Sequence, residues 1–522
     1  MPIVFDLLDN RTIKCSFPFS KETIAAIKQN TIGYRWSKSD KYWSMPIDNF
    51  YTIQKKFPNA IITDVLQERV LSYGKRNALK PISEISLKLF PREYQKNGAI
   101  FLASTGRALL ADDVGAGKSI QFIIASMLLP DIRKVLILCP ATLKYNWKAE
   151  IEKWVDTTIT IVHDDKLGRK ALWDNDSFYT IANYDLLLAD TKDILKQKYD
   201  LVCCDEASYL KSYSAKRTKI AAKLDSKYLF LLTASPMENN YLELHSLLSL
   251  INPLVAGSKE RFVKEHCRIG IFRNIVGYKN INSFMSKVEN LYLKRIKADV
   301  LKELPPILFY DKYLDMPMIQ WREYVKKRKE FEIWLEEEEN PTITNVLVQL
   351  LRLRQVCDHP LLLGIDAPSV KMDMLEDDME KHGQKTIVFT FFTGMADIIV
   401  NDPRFAKYNP QMIAGKTKIS ERVEIINLFN RSPDMKMLVM TDAGARGLNI
   451  QGASLIIHFD SPWNPELKKQ KDGRAHRFGQ DQVVTSISYY ANDSADIKIR
   501  NILQKKRNMS EVIRTVPLME LV

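Results

Sequence analysis

Residues 112–119 read Asp-Asp-Val-Gly-Ala-Gly-Lys-Ser, and the apolar run Ala108–Ala111 comes directly before them. A mostly apolar stretch with helical character follows from Ile120. A strand that ends in a glycine-rich turn and continues into a helix is typical of a loop that wraps phosphate groups. The first residue of that pattern is normally glycine, but Asp112 stands there, so the pattern is incomplete.

Side chains in and near this loop are predicted to bind ATP and Mg²⁺. Gly115 and Gly117 let the backbone N–H groups approach the phosphates. Lys118 is predicted to reach the β and γ phosphates, and the Ser119 hydroxyl is predicted to bind Mg²⁺. Gln95, which precedes the first strand of this series, is predicted to read the adenine edge.

An acidic pair follows a second apolar run, Leu201–Cys204. An ATP site needs an acid to hold Mg²⁺ and a base to orient the attacking water. Asp205 is predicted to take the first role and Glu206 the second. Much later in the chain, Arg474 and Arg477 are predicted to stabilise γ-phosphate charge as arginine fingers. A basic helix lying on nucleic acid is the alternative interpretation of these two arginines.

Apolar runs alternate with amphipathic stretches from residue 90 and again from residue 385. This alternation is typical of a parallel sheet with crossover helices. The region 256–365 is predicted to be mostly helical. The strands are predicted at Arg107–Ala111, Lys134–Cys139, Phe178–Ala182, Leu201–Cys204, Tyr228–Leu232, Thr386–Phe389, Met437–Met440 and Leu455–Phe459.

The composition favours a polyanionic partner. The 522 residues include 76 Lys and Arg against 63 Asp and Glu, a net charge of +13. Basic side chains that neutralise phosphates release counterions, which favours binding. The six cysteines show no CxxC pair or metal-ligand spacing, as expected of a reduced intracellular protein. We see no secretory signal and no run near the ~20 apolar residues of a membrane span.

The order of the motifs resembles the SNF2 family of superfamily 2 helicase-like ATPases over about residues 86–505. In the first half, Gln95 resembles the Q motif, 112–119 motif I, 140–147 motif Ia, 205–211 motif II and 232–239 motif III. In the second half, 387–390 resemble motif IV, 441–449 motif V, and 463–465 with 470–480 motif VI. Residues 293–306 and 353–360 are similar to further hallmarks of the family.

The resemblance implies an α/β fold of two RecA-like parallel-sheet lobes with helical insertions, beside a small N-terminal α+β accessory domain. The predicted boundaries are 1–80 for the accessory domain, 81–300 for the ATP-binding lobe, and 301–522 for the second lobe with linking helices and a C-terminal helical brace. ATP is expected to close the two lobes and hydrolysis to open them.

The resemblance also implies that motifs Ia, IV and V grip the phosphates of double-stranded DNA. Such contacts suit a motor because phosphates repeat identically along any sequence. Gly447 is predicted to contact the nucleotide. The predicted DNA contacts in the two lobes are Lys144, Asn146, Trp147, Thr441, Arg446 and Trp463.

The chain departs from the family pattern at two motifs. Ser208 replaces the usual histidine of motif II, so coupling to motif III is predicted to run through Ser208 and Thr233. Residues 443–446 of motif V also read differently from the common form. Neither departure touches the predicted phosphate, metal or water ligands, so we expect ATP hydrolysis.

Aromatic and basic residues cluster near the N-terminus. Their spacing within residues 24–51 is similar to the HARP domain of annealing helicases, which implies recognition of junctions between duplex and single strands. Arg35, Trp36, Lys41 and Trp43 are therefore predicted to contact DNA, because aromatic rings beside basic residues can stack on splayed bases. The alternative is that these aromatics form the core of a small β-rich module, which is compatible with DNA binding.

The expected function is an ATP-dependent translocase on duplex DNA that remodels forks or branches by branch migration, fork regression or strand annealing. We expect a monomer without a membrane partner, in the cytoplasm of a bacterium or phage-infected cell, or in the nucleus of a eukaryote. Three alternatives stay open: a translocase that displaces bound protein without junction preference, an RNA helicase, and a nucleotide-gated DNA clamp without turnover. The Trp463–Pro465 segment and the residues around Cys357 speak against the RNA helicase.

Overall fold

The structure is a computed structural model that describes residues 2–73, 78–163, 166–238, 240–271, 274–338, 342–442, 450–477 and 479–505. By backbone contacts the chain separates into two compact units. The first contains the residues up to Asp113 and Gly117–Val300, and the second contains Val114–Ala116 and the residues from Leu301 onward. The first unit carries an N-terminal sheet and a seven-stranded sheet, and the second carries a six-stranded sheet.

The N-terminal module is a small α+β domain, as predicted. Its sheet has the order β3-β4-β2-β1-β5, and only the β1–β5 pair is parallel. Its core is fully buried and includes Phe5, Ile13 and Ile53. The elements are β1 (Val4–Asp9), β2 (Thr12–Ser16), α1 (Lys21–Asn30), β3 (Arg35–Ser37), β4 (Tyr42–Pro46), α2 (Phe50–Lys56), β5 (Ile61–Ile62) and α3 (Asp64–Ser72).

Lobe 1 is built on a parallel sheet of order β14-β6-β11-β10-β7-β9-β8. Its strands are β6 (Arg107–Leu110), β7 (Val135–Cys139), β8 (Ile159–Ile161), β9 (Tyr179–Asn183), β10 (Leu201–Asp205), β11 (Tyr228–Leu232) and β14 (Tyr292–Leu293), and β12 (Cys267–Ile269) and β13 (Ile275–Tyr278) form a separate hairpin. Its helices are α4 (Glu93–Thr105), α5 (Lys118–Leu128), α6 (Lys144–Trp154), α7 (Lys166–Trp173), α8 (Leu186–Ala189), α9 (Thr191–Lys196), α10 (Lys216–Ala221), α11 (Tyr241–Ile251), α12 (Pro253–Ala256), α13 (Lys259–His266), α14 (Ile281–Val288) and α15 (Lys297–Val300).

The strands of lobe 1 are mostly apolar because both faces of the sheet are covered. In β6, Ala108 and Leu110 belong to one buried core, while Leu109 belongs to the core on the opposite face. Alternate side chains of a strand point to opposite faces, so both sets must be apolar. This arrangement explains why the strands could be recognised as continuous apolar runs.

Lobe 2 has a second parallel sheet, of order β15-β20-β19-β16-β18-β17. The two parallel sheets confirm the predicted α/β class. The strands are β15 (Ile307–Leu314), β16 (Thr386–Thr390), β17 (Gln411–Ile413), β18 (Met437–Thr441), β19 (Leu455–His458) and β20 (Val484–Ala491). The helices are α16 (Met318–Glu337), α17 (Ile343–Asp358), α18 (Val370–His382), α19 (Thr393–Asn401), α20 (Ile419–Arg431), α21 (Pro465–Ala475) and α22 (Ala495–Lys505).

The region 256–365 is less helical than predicted. It contains the β12–β13 hairpin and strand β15, which pairs with β20 along its full length. Strand β15 lies at the edge of its sheet, and most of its side chains, including Phe309 and Tyr310, are exposed. An edge strand of this kind lacks the buried apolar run by which the other strands were recognised. Within the described residues, no helix has the length and apolar character to cross a membrane.

Candidate nucleotide site and nucleic-acid interface

The glycine-rich loop joins β6 to α5, and two glycines set its backbone. Gly115 has a φ of 84° and Gly117 a φ of 72°, backbone angles that residues with a Cβ rarely adopt. A Cβ at Gly117 would also lie 2.7 Å from Nε2 of Gln95. Helix α5 begins directly after Gly117, so its first N–H groups face the loop, as a phosphate site requires.

Lys118 is held within this loop. Its Nζ donates to the carbonyl oxygens of Asp112 at 2.7 Å and of Asp113 at 3.1 Å. Burial lowers the pKa of its ammonium group, and the carboxylates of Glu206 and Asp112 oppose that shift. The charge of Glu206 therefore acts on Lys118, while the phosphate contact of Lys118 stays a prediction. Ser119 follows it in the first turn of α5.

Gln95 lies in the first turn of α4 and is buried against the loop. Its Oε1 accepts a hydrogen bond from the backbone N–H of Arg92 at 2.9 Å. Its Nε2 lies 3.4 Å from the hydroxyl oxygen of Tyr94. The side-chain amide is therefore fixed beside Gly117, and its contact with adenine stays a prediction.

Asp112 is completely buried and paired with Arg295. The guanidinium of Arg295 donates to both carboxylate oxygens of Asp112, to the carbonyl oxygen of Tyr94 and to Oε1 of Gln121. A Cβ at Gly98 would lie 1.7 Å from that Gln121 oxygen, so a larger residue there would displace the Gln121 side chain. Sequence reasoning assigned no role to Arg295, although an acid at the usual glycine position was the signal that a cation must approach it.

Asp205 ends β10 and receives hydrogen bonds on both carboxylate oxygens. Trp147 Nε1 donates to Oδ2 at 2.8 Å, and the backbone N–H of Glu206 donates to Oδ1 at 2.9 Å. Tyr184 donates its hydroxyl proton to the Asp205 carbonyl oxygen at 2.7 Å. Burial, and after it the charge of Glu206, raises the pKa of Asp205 to about 6.

The donor set fits the predicted Mg²⁺. This ion takes hard oxygen ligands from one or two protein side chains and completes its shell with water and phosphate oxygens. Asp205 supplies a carboxylate and Ser119 a hydroxyl, and the adjacent carboxylates of Asp205 and Glu206 repel each other unless a cation lies nearby. Among the described residues, no group of three or more His, Cys, Asp and Glu side chains is arranged to hold a metal by itself.

Glu206 has a left-handed backbone with φ of 50°, which is uncommon for a residue with a side chain. Its Oε1 accepts hydrogen bonds from Ser208 Oγ at 3.0 Å and from Thr233 Oγ1 at 3.5 Å. The residues that were predicted to couple motifs II and III therefore meet on the predicted catalytic carboxylate. Thr233 Oγ1 also accepts from the backbone N–H of Ser235 at 3.1 Å.

Two predicted DNA contacts in lobe 1 are wrong for this structure. Trp147 is buried, and its N–H is bound to Asp205. Lys144 is also buried, with its Nζ donating to the Val162 carbonyl oxygen at 2.9 Å. Both side chains lie on the inward face of α6. Asn146, the third predicted contact, is only partly buried.

In lobe 2, Arg474 and Arg477 lie at the end of α21 and just beyond it. The core holds this helix through Asp472, which accepts from His458 Nε2 at 2.8 Å and from Ser486 Oγ at 2.9 Å. Lys471 forms a buried ion pair with Asp442 in motif V. Motifs V and VI are thus tied together around the predicted arginine fingers.

The remaining predicted contacts of lobe 2 differ in exposure. Thr441 is buried, including its hydroxyl oxygen, so the prediction that it contacts DNA is wrong for this structure. Arg446 and Gly447 lie outside the described residues. Trp463 is partly exposed and stacks on Phe391, with ring centroids 6.3 Å apart.

Arg354 is a residue of this region that the sequence reasoning missed. Its guanidinium carbon lies 5.4 Å from the centre of the Trp463 ring. Its Nη2 donates to the Ser461 carbonyl oxygen at 2.7 Å and pairs with Asp460 at 3.3 Å. Arg354 lies within the family hallmark at residues 353–360, but its partner Asp460 lies 106 positions further along the chain.

In the N-terminal module, Trp36 and Trp43 pair across strands β3 and β4, with ring centroids 5.3 Å apart. Trp36 is 46% exposed, whereas Trp43 packs partly against the core of the module. Arg35 and Lys41 are exposed. Trp36 thus faces solvent, as a DNA contact requires, and Trp43 packs behind it, as in the core of a β-rich module. Each of the two interpretations therefore describes one of the two tryptophans.

The N-terminal module is bound to lobe 1 by polar contacts. Asp48 is buried and accepts hydrogen bonds from Arg261 Nε at 2.7 Å and from the Ser258 N–H at 3.0 Å. Arg11 donates to the Ser249 carbonyl oxygen near the end of α11. The module is therefore a fixed part of the first unit.

Comparison with known proteins identifies two domains, and the first of them extends across Val300. Residues 94–362 match the SNF2-related domain, and residues 370–479 match the helicase conserved C-terminal domain. The N-terminal module lies outside both matches, so its resemblance to a HARP domain stays a prediction.

Individual relatives are distant. An uncharacterized ATP-dependent helicase of Mycoplasma genitalium is 26% identical over 80% of this chain and 42% of its own length. The human DNA annealing helicase and endonuclease ZRANB3 is 26% identical over 81% of this chain and 40% of its own length. The chain thus spans about two fifths of the curated relatives it matches. The solved Sulfolobus solfataricus SWI2/SNF2 ATPase core in complex with dsDNA is 26% identical, with a TM-score of 0.42, over 85% of this chain and 97% of that one.

Proposed function

The chain belongs to the family of SNF2-related domains, and on that premise we propose that it is a DNA-dependent ATPase that translocates on duplex DNA and remodels forks or branches. ATP with Mg²⁺ is the proposed energy source. Such a motor needs a nucleotide site, a surface that follows the DNA backbone, and a module that distinguishes a junction from plain duplex.

The observation that carries the ATPase proposal is that two hydroxyl groups hold the Glu206 carboxylate at the end of the strand that carries Asp205. Ser208 and Thr233 hold Glu206 by its carboxylate, and its charge acts on the Lys118 ammonium. A carboxylate that is held in place and whose charge acts on the lysine of the phosphate loop is suited to orient an attacking water. ATP hydrolysis is therefore favoured over a clamp that binds ATP without turnover.

DNA is the proposed track. The net charge of +13 favours a polyanion. The names of the curated relatives also point to DNA and to helicase action, and one of them is a DNA annealing helicase. Arg474 and Arg477, held by the anchored helix α21, are proposed to act on the γ-phosphate.

The fork preference rests on the N-terminal module. The Trp36 ring is presented to solvent beside the exposed Arg35, and Trp43 packs behind it. An exposed ring next to a cation can stack on an unpaired base, which is present at a fork but not in linear duplex. Asp48 and its partners fix this ring relative to lobe 1, so the motor can act on the strands that the module holds.

The test compares ATPase stimulation by forked, linear duplex and single-stranded DNA. We expect Trp36→Ala to weaken binding of forked DNA roughly 5- to 150-fold, since stacking of one base contributes about 1–3 kcal/mol, while stimulation by linear duplex stays unchanged. Tyr51→Ala is the matched control, because Tyr51 is an exposed aromatic of the same module outside the Trp36–Trp43 pair. Deleting residues 1–80 would be a poorer test, since it uncovers the surface of lobe 1 where Arg11 binds.

Each alternative function has its own result in this comparison. Equal stimulation by all three DNA forms would favour a translocase that displaces bound protein without junction preference. An ATPase that DNA does not stimulate but RNA does would favour an RNA helicase. Nucleotide-dependent DNA binding with no turnover would favour the clamp.

A further inference from the structure

Trp147 connects three parts of lobe 1. It lies in the first turn of α6, within the segment 140–147 that resembles motif Ia. Its indole N–H donates to Asp205 Oδ2 at 2.8 Å, at the end of β10. Its ring meets Phe122 edge to face, with centroids 5.5 Å apart. Phe122 lies one turn after Lys118 in α5, so the indole contacts both the predicted metal ligand and the helix of the phosphate loop.

The opposite face of α6 is open to solvent. Tyr145 is 44% exposed and Lys148 is exposed, and both lie within one turn of the buried Trp147. A basic and an aromatic side chain at the start of a helix are suited to a nucleic-acid backbone. The same short segment therefore has an outer face for DNA and an inner face on the ATP site.

We propose that Trp147 is a positioning residue that orients Asp205 for Mg²⁺ and transmits DNA contact at the first turn of α6 to the nucleotide site. The inference rests on the proposed function, because it requires DNA to be the ligand of α6. When DNA shifts α6, the indole of Trp147 moves with the helix. The Asp205 carboxylate must then respond, because the indole N–H is hydrogen-bonded to it.

The hydrogen bond gives this role its chemical basis. Trp147 and the Glu206 N–H each occupy one lone pair on a different oxygen of Asp205, which fixes the rotation of the carboxylate. Hydrogen-bond donors to a metal-binding carboxylate set the direction in which it presents its free lone pair to the metal. Their loss typically lowers metal affinity roughly 10- to 100-fold.

Trp154 shows what a purely packing tryptophan of α6 looks like. It is buried on the same face, seven residues further along. Its Nε1 has no hydrogen-bond partner among the described residues. Replacing either tryptophan by phenylalanine removes similar apolar volume, but only Trp147→Phe removes a hydrogen bond to Asp205. Trp154→Phe is thus the matched control.

The test measures binding of a fluorescent, non-hydrolysable ATP analogue as Mg²⁺ is titrated, with and without linear duplex DNA. Trp147→Phe is expected to need roughly 10- to 100-fold more Mg²⁺ for half-maximal binding, with Mg²⁺-free binding unchanged. DNA is expected to lower the Mg²⁺ requirement of the wild type but not of Trp147→Phe. Trp154→Phe is expected to behave as the wild type in both titrations.

A wild-type Mg²⁺ requirement in Trp147→Phe would overturn the positioning role. An unchanged effect of DNA in that variant would overturn the transmission role. If Trp147→Phe unfolds at a much lower temperature than Trp154→Phe, replacement of Trp147 by β-(3-benzothienyl)alanine keeps the ring size, removes the N–H and gives the same comparison. A wild type without DNA-stimulated ATPase would contradict the proposed function, whereas the titration without DNA would still decide the positioning role.

Discussion

Asp112 Oδ2 lies 2.5 Å from Nη2 of Arg295, and the carboxylate of Asp112 is fully buried. The common phosphate loop has glycine at this position. Here an ion pair joins the start of the loop to the segment that leads to Val300, where the first unit ends. The loop is thus held by a charge pair where most such loops have a flexible residue.

Restoring the consensus by Asp112→Gly should therefore destabilise the protein. The substitution leaves the mostly buried guanidinium of Arg295 without its counter-charge, and removal of one partner of a buried pair typically costs about 3–5 kcal/mol. Urea unfolding followed by circular dichroism would measure the loss.

The double variant Asp112→Gly with Arg295→Met is the control for this effect. It removes both charges, so we expect it to be more stable than Asp112→Gly alone. A double variant whose loss equals the sum of the two single losses would contradict an energetic link between the residues.

Glu206→Gln should abolish turnover but keep ATP binding, because the amide cannot act on the attacking water. A general base contributes typically about 10²- to 10⁴-fold to a rate. Ser208→Ala removes one of two donors to Glu206 and should lower kcat roughly 10-fold, with KM for ATP unchanged. Steady-state kinetics at saturating DNA would measure both. A raised KM with unchanged kcat in Ser208→Ala would assign the serine to binding instead.

Much of the fold could be predicted from continuous apolar runs. The predicted strands at Tyr228–Leu232 and Met437–Met440 match β11 and β18 to within a residue. These strands are covered on both faces, and strands buried in this way appear in the sequence as continuous apolar runs. Strand β15 has no continuous buried apolar run, because it lies at the sheet edge and exposes Phe309 and Tyr310.

The candidate site was less predictable, since its contacts join distant parts of the chain. Short motifs located Lys118 and Asp205, but the roles of Trp147 and Arg295 depend on which residue lies across the fold. Trp147 was assigned to DNA because it lies in motif Ia, and only the turn of α6 shows that it faces Asp205. A sequence pattern shows which residues share a face of a helix, but it does not show which distant residues that face contacts.

Stability should fall in mild acid because of His245. Burial lowers the pKa of His245 to about 3, and the hydrogen bond that its Nε2 donates to the Ala256 carbonyl oxygen opposes this shift only in part. The usual histidine pKa is 6.5. The unfolded chain therefore takes up a proton below pH 6.5 and the folded chain does not, so stability is lost as the pH falls from 6.5 toward 3. Between pH 6.5 and pH 5 this one group should cost about 1–2 kcal/mol.

Urea unfolding at the two pH values would test this assignment. His245→Gln should be less stable at pH 7 but should lose less stability on acidification than the wild type. His382→Gln is the control, because it makes the same substitution at an exposed histidine at the end of α18. An equal pH dependence in all three proteins would show that other groups control acid sensitivity.

Asp48→Ala should loosen the N-terminal module from lobe 1. The Asp48 carboxylate accepts from Arg261 and from the Ser258 N–H, and a hydrogen bond to a charged group contributes about 1.5–3 kcal/mol. We expect faster hydrogen exchange in β1 to β4, with little change in the lobe 1 sheet, because local opening then needs less free energy. Asp40→Ala is the matched control, since Asp40 is exposed and its bonds to Ser37 and Ser39 stay within the module. Equal exchange in the two variants would mean that other contacts, such as the hydrogen bond of Arg11 to Ser249, hold the module without Asp48.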